Sequence, residues 1–315
     1  MSRLMRIDPT RTTLIVHAFT QDIKSRMDAF KGHVHKLVGL DDSFGLGSPV
    51  ANALTTNKYQ FLTSAQKQQA FSNWLQQQLD SGALGLIAGN DPDNPWVGAY
   101  ITSAYKQGLV RAYLDSHRDS MVSDPTFYAK SEAAFVKQSF SSPETLDKIQ
   151  SLATRTFEEM KGFTADNKQI LGRTLADGMA NGDAPLTIAK DMTDQIDGLT
   201  RSRANMIART EIVRAHAEGQ LDAFDALDID SLGMMAEWAT ADDDAVCEDC
   251  QDGADNSPYT VDEARGLIPL HPNCRCSWIP APVDKKGRID RSNDSAPEAD
   301  EEDDLTDNLK IKVHG

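Results

Sequence analysis

Apolar residues recur every three or four positions through most of the first 228 residues of this 315-residue chain. The spacing in residues 12–38 is representative, since Phe19, Ile23, Met27 and Phe30 follow one face of a helix. The same pattern predicts helices over residues 12–38, 64–79, 96–117, 124–138, 142–162, 164–179, 185–196 and 199–227. Because the connections are short and the segments amphipathic, the pattern favours an all-α body.

Glycine, proline and capping residues set the predicted helix ends. Ser142, Pro143 and Glu144 are typical of a helix start, with serine as the cap and proline at the first helical position. Gly162 and Gly198 are interpreted as breaks, each of which separates two helices.

The pattern changes after Asp230. Residues 234–240 alternate like a strand, residues 258–265 fit a strand end with a short helix, and residues 276–279 fit a returning strand. The fold class expected is therefore mainly α: a multi-helix body followed by a small α+β module and a polar tail.

The acidic residues are unevenly placed. The net charge of the chain is −16, and residues 290–308 alone carry nine Asp or Glu against one Arg. A tail of this composition has too little apolar surface to offset its ordering entropy, so we expect residues 283–315 to be disordered. The acidic balance argues against general binding to a phosphate backbone.

The sequence predicts neither a membrane span nor a secretory signal. No run of about 18 apolar residues occurs, and the N-terminal residues lack an apolar signal core. We therefore expect synthesis in a reducing cytoplasm, where clustered cysteines are more often metal ligands than disulfides.

All four cysteines lie close together in the α+β module. Their spacing is Cys247-x2-Cys250, a gap of 20 residues, then His271-x2-Cys274-x-Cys276. Two close pairs separated by a loop are typical of a zinc site, because each pair can direct its donors at one tetrahedral ion. A site with four protein ligands leaves no position open for a substrate, which favours a structural zinc that cross-links the module.

Five candidate ligands compete for four positions in that site. The preferred set is Cys247, Cys250 and His271 with either Cys274 or Cys276. We expect only one of the last two to bind, on the assumption that the returning strand turns their side chains to opposite faces. The alternatives are buried free thiols without metal, or a disulfide between the pairs in a non-reducing particle.

An enzymatic alternative starts from His216-Ala-Glu218, which with Cys247-x2-Cys250 imitates a zinc deaminase signature. Val246 stands where that signature has proline, and the alternative leaves His271 unexplained. We therefore predict no enzyme activity. His17, His33 and His35 share no spacing with acidic or cysteine partners, so they are expected to be solvated or partly buried.

The last long helix carries a few basic residues. Arg201, Arg203, Arg209 and Arg214 make it mildly basic, although Glu211 and Glu218 dilute the charge and Glu211 can pair with Arg214 at i, i+3. A zinc protein that binds nucleic acid is therefore kept as the second function hypothesis.

The order of motifs in the last third of the chain resembles the phage Mu F-like head morphogenesis family. The resemblance is carried by Ile207-Ala-Arg-Thr-Glu211, Trp238, Cys247-x2-Cys250, His271-Pro-Asn-Cys-Arg-Cys276, Trp278 and Pro280. It implies a head morphogenesis domain over residues 164–282 that contains the zinc module, residues 234–280. Residues 1–163 form a helical N-terminal region outside the resemblance.

The resemblance also implies a function and partners. Members of this family are minor capsid proteins of tailed bacteriophages or prophages, built into the procapsid and associated with the portal, capsid or scaffold protein. They are linked to DNA packaging or ejection, so the nucleic acid of the second hypothesis would be packaged DNA. The expected location is the virion, at the head interior or portal vertex, after synthesis in the bacterial host cytoplasm, with no membrane partner.

Overall fold

The computed structural model describes residues 8–46, 64–81, 96–117 and 131–291. Long helices dominate these ranges, which confirms the mainly helical class. Their bounds are α1 (Thr13–Val34), followed by a π-helical segment (His35–Leu40), α2 (Ser64–Ser81), α3 (Gly98–Ser116), α4 (Glu132–Ser139), α5 (Pro143–Asn181) and α6 (Pro185–Leu227).

Helices α5 and α6 are continuous, so the predicted breaks at Gly162 and Gly198 are wrong. A glycine inside a helix costs about 1 kcal/mol relative to alanine. Apolar side chains next to the glycines are buried, including Met160 and Phe163 in α5 and Ile196 in α6. Because burial of one such side chain stabilises by about 1.5–3 kcal/mol, packing outweighs the local preference to break.

Helix α4 begins later than the sequence indicates. Its cap is Ser131, whose hydroxyl accepts the N–H of Ala134, and its first helical residue is Glu132. The predicted start at Asp124 lies outside the described residues.

The chain divides into two compact units. The first contains the described residues of 1–18, 97–153 and 208–315, and the second contains those of 19–96 and 154–207. The predicted segment boundaries at residues 163 and 282 remain predictions.

In the second unit, apolar faces of four helices form the core. The turn between α5 and α6 is closed by Gly182, which has a positive φ of 73°, and by a hydrogen bond from Asp183 N–H to the Gly178 carbonyl of 2.9 Å. Buried core residues include Phe30 and Met27 of α1, Phe71 and Leu75 of α2, Phe163 and Leu171 of α5, and Ile188 and Met192 of α6.

In the first unit, α3 and α6 approach each other closely at two glycines. A Cβ atom added at Gly108 would clash with the carbonyl oxygen of His216, and one added at Gly219 would clash with that of Tyr105. The two helices therefore pack backbone against backbone, which only residues without a side chain permit.

The predicted α+β module is present at the end of the first unit. It consists of β1 (Met234–Ala239), α7 (Glu248–Asp255), the single turn α8 (Val261–Ala264) and β2 (Ser277–Pro282). The strands are antiparallel, with Trp238 opposite Trp278. Their indole rings meet edge to face at 5.4 Å, and both side chains are buried.

Both edges of this small sheet are closed. On the outer edge of β1, the backbone of Ala236 pairs with Tyr259, and the N–H of Trp238 donates to the Ser257 hydroxyl at 2.8 Å. On β2, Pro280 and Pro282 have no N–H to offer. Within the described residues, the sheet therefore presents no free edge to which a further strand could add.

The described chain continues past β2 to Arg291. Val283 pairs with Ile289, and Arg291 forms an ion pair of 2.5 Å with Glu237 of β1. The rest of the tail that the sequence predicts to be disordered, residues 292–315, lies outside the described residues. No helix in the described ranges has both the length and the apolarity needed to cross a membrane.

Candidate metal centre

The first two candidate ligands lie at the start of α7. Cys247 is the N-cap residue of this helix, and the N–H of Cys250 points to the Cys247 sulfur at 3.4 Å. The N-terminus of a helix favours negative charge, so this position suits a thiolate.

The other three candidates lie in the loop that leads to β2. The N–H of Cys274 bonds to the carbonyl of His271 at 3.2 Å, which folds the loop into a turn. Asn273 takes a positive φ of 65°, and its N–H donates to the hydroxyl of Thr210 on α6 at 3.0 Å. The Arg-Thr-Glu and His-Pro-Asn-Cys motifs are therefore in direct contact.

The five candidate donors form two groups that share one sulfur. Cys247, Cys250 and His271 form the first group, and Cys250, Cys274 and Cys276 the second, with the donor atoms of each group within 4.8 Å of one another. His271 Nε2 lies 3.1 Å from the sulfurs of both Cys247 and Cys250. These groups could hold a metal ion, and all four cysteines are free.

Cys274 and Cys276 lie on the same side of Cys250, so the assumption that they face opposite ways is wrong. Residues two apart in an extended segment share a face, and the residue between them points away. That residue, Arg275, extends to Asp243, with two nitrogen–oxygen distances of 2.6 and 2.5 Å.

One sulfur–sulfur distance and the orientation of His271 suit a zinc ion. With zinc–sulfur bonds of about 2.3 Å, a tetrahedral site separates two sulfurs by about 3.8 Å. The sulfurs of Cys250 and Cys274 are 3.9 Å apart. His271 donates from Nδ1 to the carbonyl of Pro272 at 2.8 Å, which leaves Nε2 as the acceptor that a metal requires.

Hydrogen bonds also adjust the acidity of the donors. The thiol of Cys276 lowers the pKa of Cys274 to about 5, and the same interaction raises the pKa of Cys276. The N–H of Cys250 lowers the pKa of Cys247, whereas burial raises the pKa of Cys250 to about 12. The hydrogen bond to Pro272 raises the pKa of His271.

His216 and Glu218 do not join these donors. His216 is fully buried within α6 and belongs to neither donor group of the described residues. Glu218 lies 3.5 Å from Arg265 and 3.7 Å from Lys148. The deaminase-like arrangement considered from the sequence is therefore not assembled.

The structure agrees with the other predictions for charged residues and histidines. The ion pair between Glu211 and Arg214 is confirmed, at 3.8 Å. Arg203 pairs with Asp166, so two of the four arginines on the mildly basic helix face acidic partners. The predicted environment of the N-terminal histidines is confirmed, since His17 and His33 are exposed and His35 is half-buried.

An ion-pair network that the sequence did not reveal attaches the module to the helices. Arg265, which follows α8, contacts three acidic residues on one face of α6: Glu218, Asp222 at 2.8 Å and Asp225. Lys148 of α5 also reaches Asp222, at 2.5 Å. The spacing of the three acids on α6 was a visible signal, but nothing in the sequence identified Arg265 as their partner.

Residues 169–279 match the family described as "Phage Mu protein F like protein". The match covers part of α5, all of α6 and the module as far as Ile279 in β2, and it confirms the resemblance that the motifs indicate. No curated protein and no solved structure matches the chain significantly.

Proposed function

We propose that this chain is a minor head protein of a tailed bacteriophage or prophage, and that it acts in procapsid assembly and in DNA packaging or ejection. The observation that carries the proposal is the match of residues 169–279 to the Mu F-like family. Other capsid components are the partners that this family implies, and we propose the portal, major capsid or scaffold protein among them.

The proposed mechanism is positional rather than catalytic. The module is held on α6 by the contacts of Thr210 with Asn273 and of Asp222 with Arg265. A rigid module with closed sheet edges can present a fixed surface to a neighbour in the head. The helical N-terminal region supplies the rest of the docking surface.

We propose further that the module binds one structural zinc ion. The donors are soft sulfurs and one imidazole, as zinc prefers, and the five candidates are enough for protein to fill all four positions of a tetrahedral ion. When bound, zinc supplies cross-linking and no open position for a substrate. Cys250 contributes to both donor groups and holds α7 to the loop before β2.

The head assignment is tested with the phage itself. Procapsids and mature virions are purified from a host infected with phage that encodes a tagged copy of this chain. We expect the chain in both particles at low copy number. A deletion should reduce the yield of DNA-filled heads. Absence of the chain from both particles, together with normal head yield after deletion, would contradict the proposal.

The zinc assignment is tested on the purified full-length protein. We expect one zinc per chain by elemental analysis, and a lower unfolding temperature after chelation because the metal binds only the folded module. The Cys250→Ser variant is the control, since chelator should not change its unfolding further. If the protein contains no zinc and chelator does not change its unfolding, the metal assignment is wrong. The head assignment would not be affected by that result.

A further inference from the structure

We infer that the metal centre has one thiol more than a single ion requires: Cys274 and Cys276 are alternative ligands for the same position, whereas Cys250 is indispensable. The inference rests on the proposed zinc site and deepens it. It replaces the expectation that alternation along a strand turns only one of the two cysteines toward the ion.

The two donor groups give these cysteines unequal roles. Cys250 is the one residue that the groups share, so its sulfur is the donor that lies within 4.8 Å of all four others. A ligand set without Cys250 would have to combine donors that belong to different groups and lie further apart. His271 Nε2 lies 3.1 Å from the sulfurs of both Cys247 and Cys250. An ion bound by these three donors would have one tetrahedral position left.

Two further sulfurs are candidates for that fourth position. Cys274 and Cys276 are both buried, and both lie within 4.8 Å of the Cys250 sulfur. Arg275, the residue between the two cysteines, is held on the opposite side by its two contacts with Asp243. This anchor keeps both flanking thiols turned inward, so exchange of one for the other needs little movement of the backbone.

A tetrahedral zinc ion accepts only one of the two at a time. The second thiol remains beside the ion and can replace the first if that ligand is lost. The centre therefore tolerates loss of either Cys274 or Cys276, but not loss of both.

Four variants of the full-length protein test this redundancy: Cys274→Ser, Cys276→Ser, the double variant, and Cys250→Ser. Zinc content is measured by elemental analysis, and affinity by competition with a chromophoric chelator. We expect each of the first two to keep one ion per chain, with affinity reduced by about 10- to 100-fold, as when a group that supports a ligand is lost. The double variant and Cys250→Ser should lose the ion.

Loss of zinc from Cys274→Ser or Cys276→Ser to the same extent as from Cys250→Ser would overturn the inference. X-ray absorption on the zinc-loaded natural protein gives an answer that does not depend on variants folding. Three sulfurs and one nitrogen around one ion are expected. Four sulfurs without nitrogen, or two ions per chain, would overturn it. Natural protein that binds no zinc would refute the proposed zinc site itself.

Discussion

The side-chain amide of Gln220 is hydrogen-bonded to both backbone polar groups of Trp278. Its Nε2 donates to the Trp278 carbonyl at 2.6 Å, and its Oε1 accepts the Trp278 N–H at 3.1 Å. Gln220 is fully buried in α6, and Trp278 lies in β2. A helix side chain therefore takes the place that the backbone of a third strand would occupy.

Replacement of Gln220 should destabilise the protein strongly. The variant Gln220→Leu leaves the N–H and C=O of Trp278 buried without partners, and each such group costs about 1–3 kcal/mol. We expect a loss of about 2–5 kcal/mol in the free energy of unfolding, measured by urea denaturation. The matched control is Gln251→Leu, because Gln251 is exposed on α7. Equal effects of the two changes would contradict this prediction.

Glycine-to-alanine changes should have opposite effects on stability at the contact between α3 and α6 and at open positions of α5. Gly108→Ala and Gly219→Ala place a methyl group against a backbone carbonyl of the facing helix. We expect each to destabilise by about 3 kcal/mol. Gly162→Ala and Gly172→Ala in α5 meet nothing within 4 Å, so they should stabilise by about 0.5–1 kcal/mol. The unfolding temperatures of the four variants are measured, and we expect them to fall for the first pair and to rise for the second. Stabilisation by Gly108→Ala would refute the close approach of α3 and α6.

Burial of His216 predicts a loss of stability in mild acid. Burial lowers the pKa of His216 to about 4, from an ordinary value of 6.5. Between these pH values the unfolded chain binds more protons than the folded one, so stability falls as pH decreases through that window and is constant, for this group, above it. The full loss in the free energy of unfolding from this group is about 3 kcal/mol.

The variant His216→Leu isolates this effect, because its carboxylates titrate as in the natural protein. Urea denaturation is compared at pH 7.5 and pH 4.5, and the natural protein should lose more stability than the variant. Identical losses would show that His216 does not titrate in this range.

The contact of Arg265 with three acids predicts a measurable but moderate role in stability. The side chain is 29% exposed, so solvent screens the ion pairs in part. We expect Arg265→Gln to cost about 1–2 kcal/mol, because it also leaves like charges together on α6. Arg288→Gln is the control. Arg288 is 72% exposed in an i, i+4 pair with Asp284, and its loss should change stability by less than about 0.5 kcal/mol. High salt should reduce the difference in the free energy of unfolding between the two variants.

The sequence predicted local structure well where a periodic pattern was long. The helices around Phe19 and Tyr105 and both strands of the module occur where the apolar pattern places them. It failed at Gly162 and Gly198, because the packing that compensates for a helical glycine comes from residues far away in sequence.

At the candidate site, too, the sequence predicted the local pattern but not the long-range contacts. Cysteine and histidine spacing selected the five candidate donors that the structure brings into two groups, since a metal site needs specific residue types at short intervals. Spacing did not identify the contacts that hold the site in place, such as Thr210 with Asn273, whose partners are 63 residues apart.

The sequence by itself determined which segments are helical, which residues can bind a metal and which family the last third resembles, because these depend on residue type and short-range order. The tertiary structure decided that Cys274 and Cys276 face the same sulfur, that Gly108 and Gly219 join two helices, and that Gln220 completes the sheet. These relationships depend on which distant surfaces meet, and hydrophobic packing of the whole unit selects them.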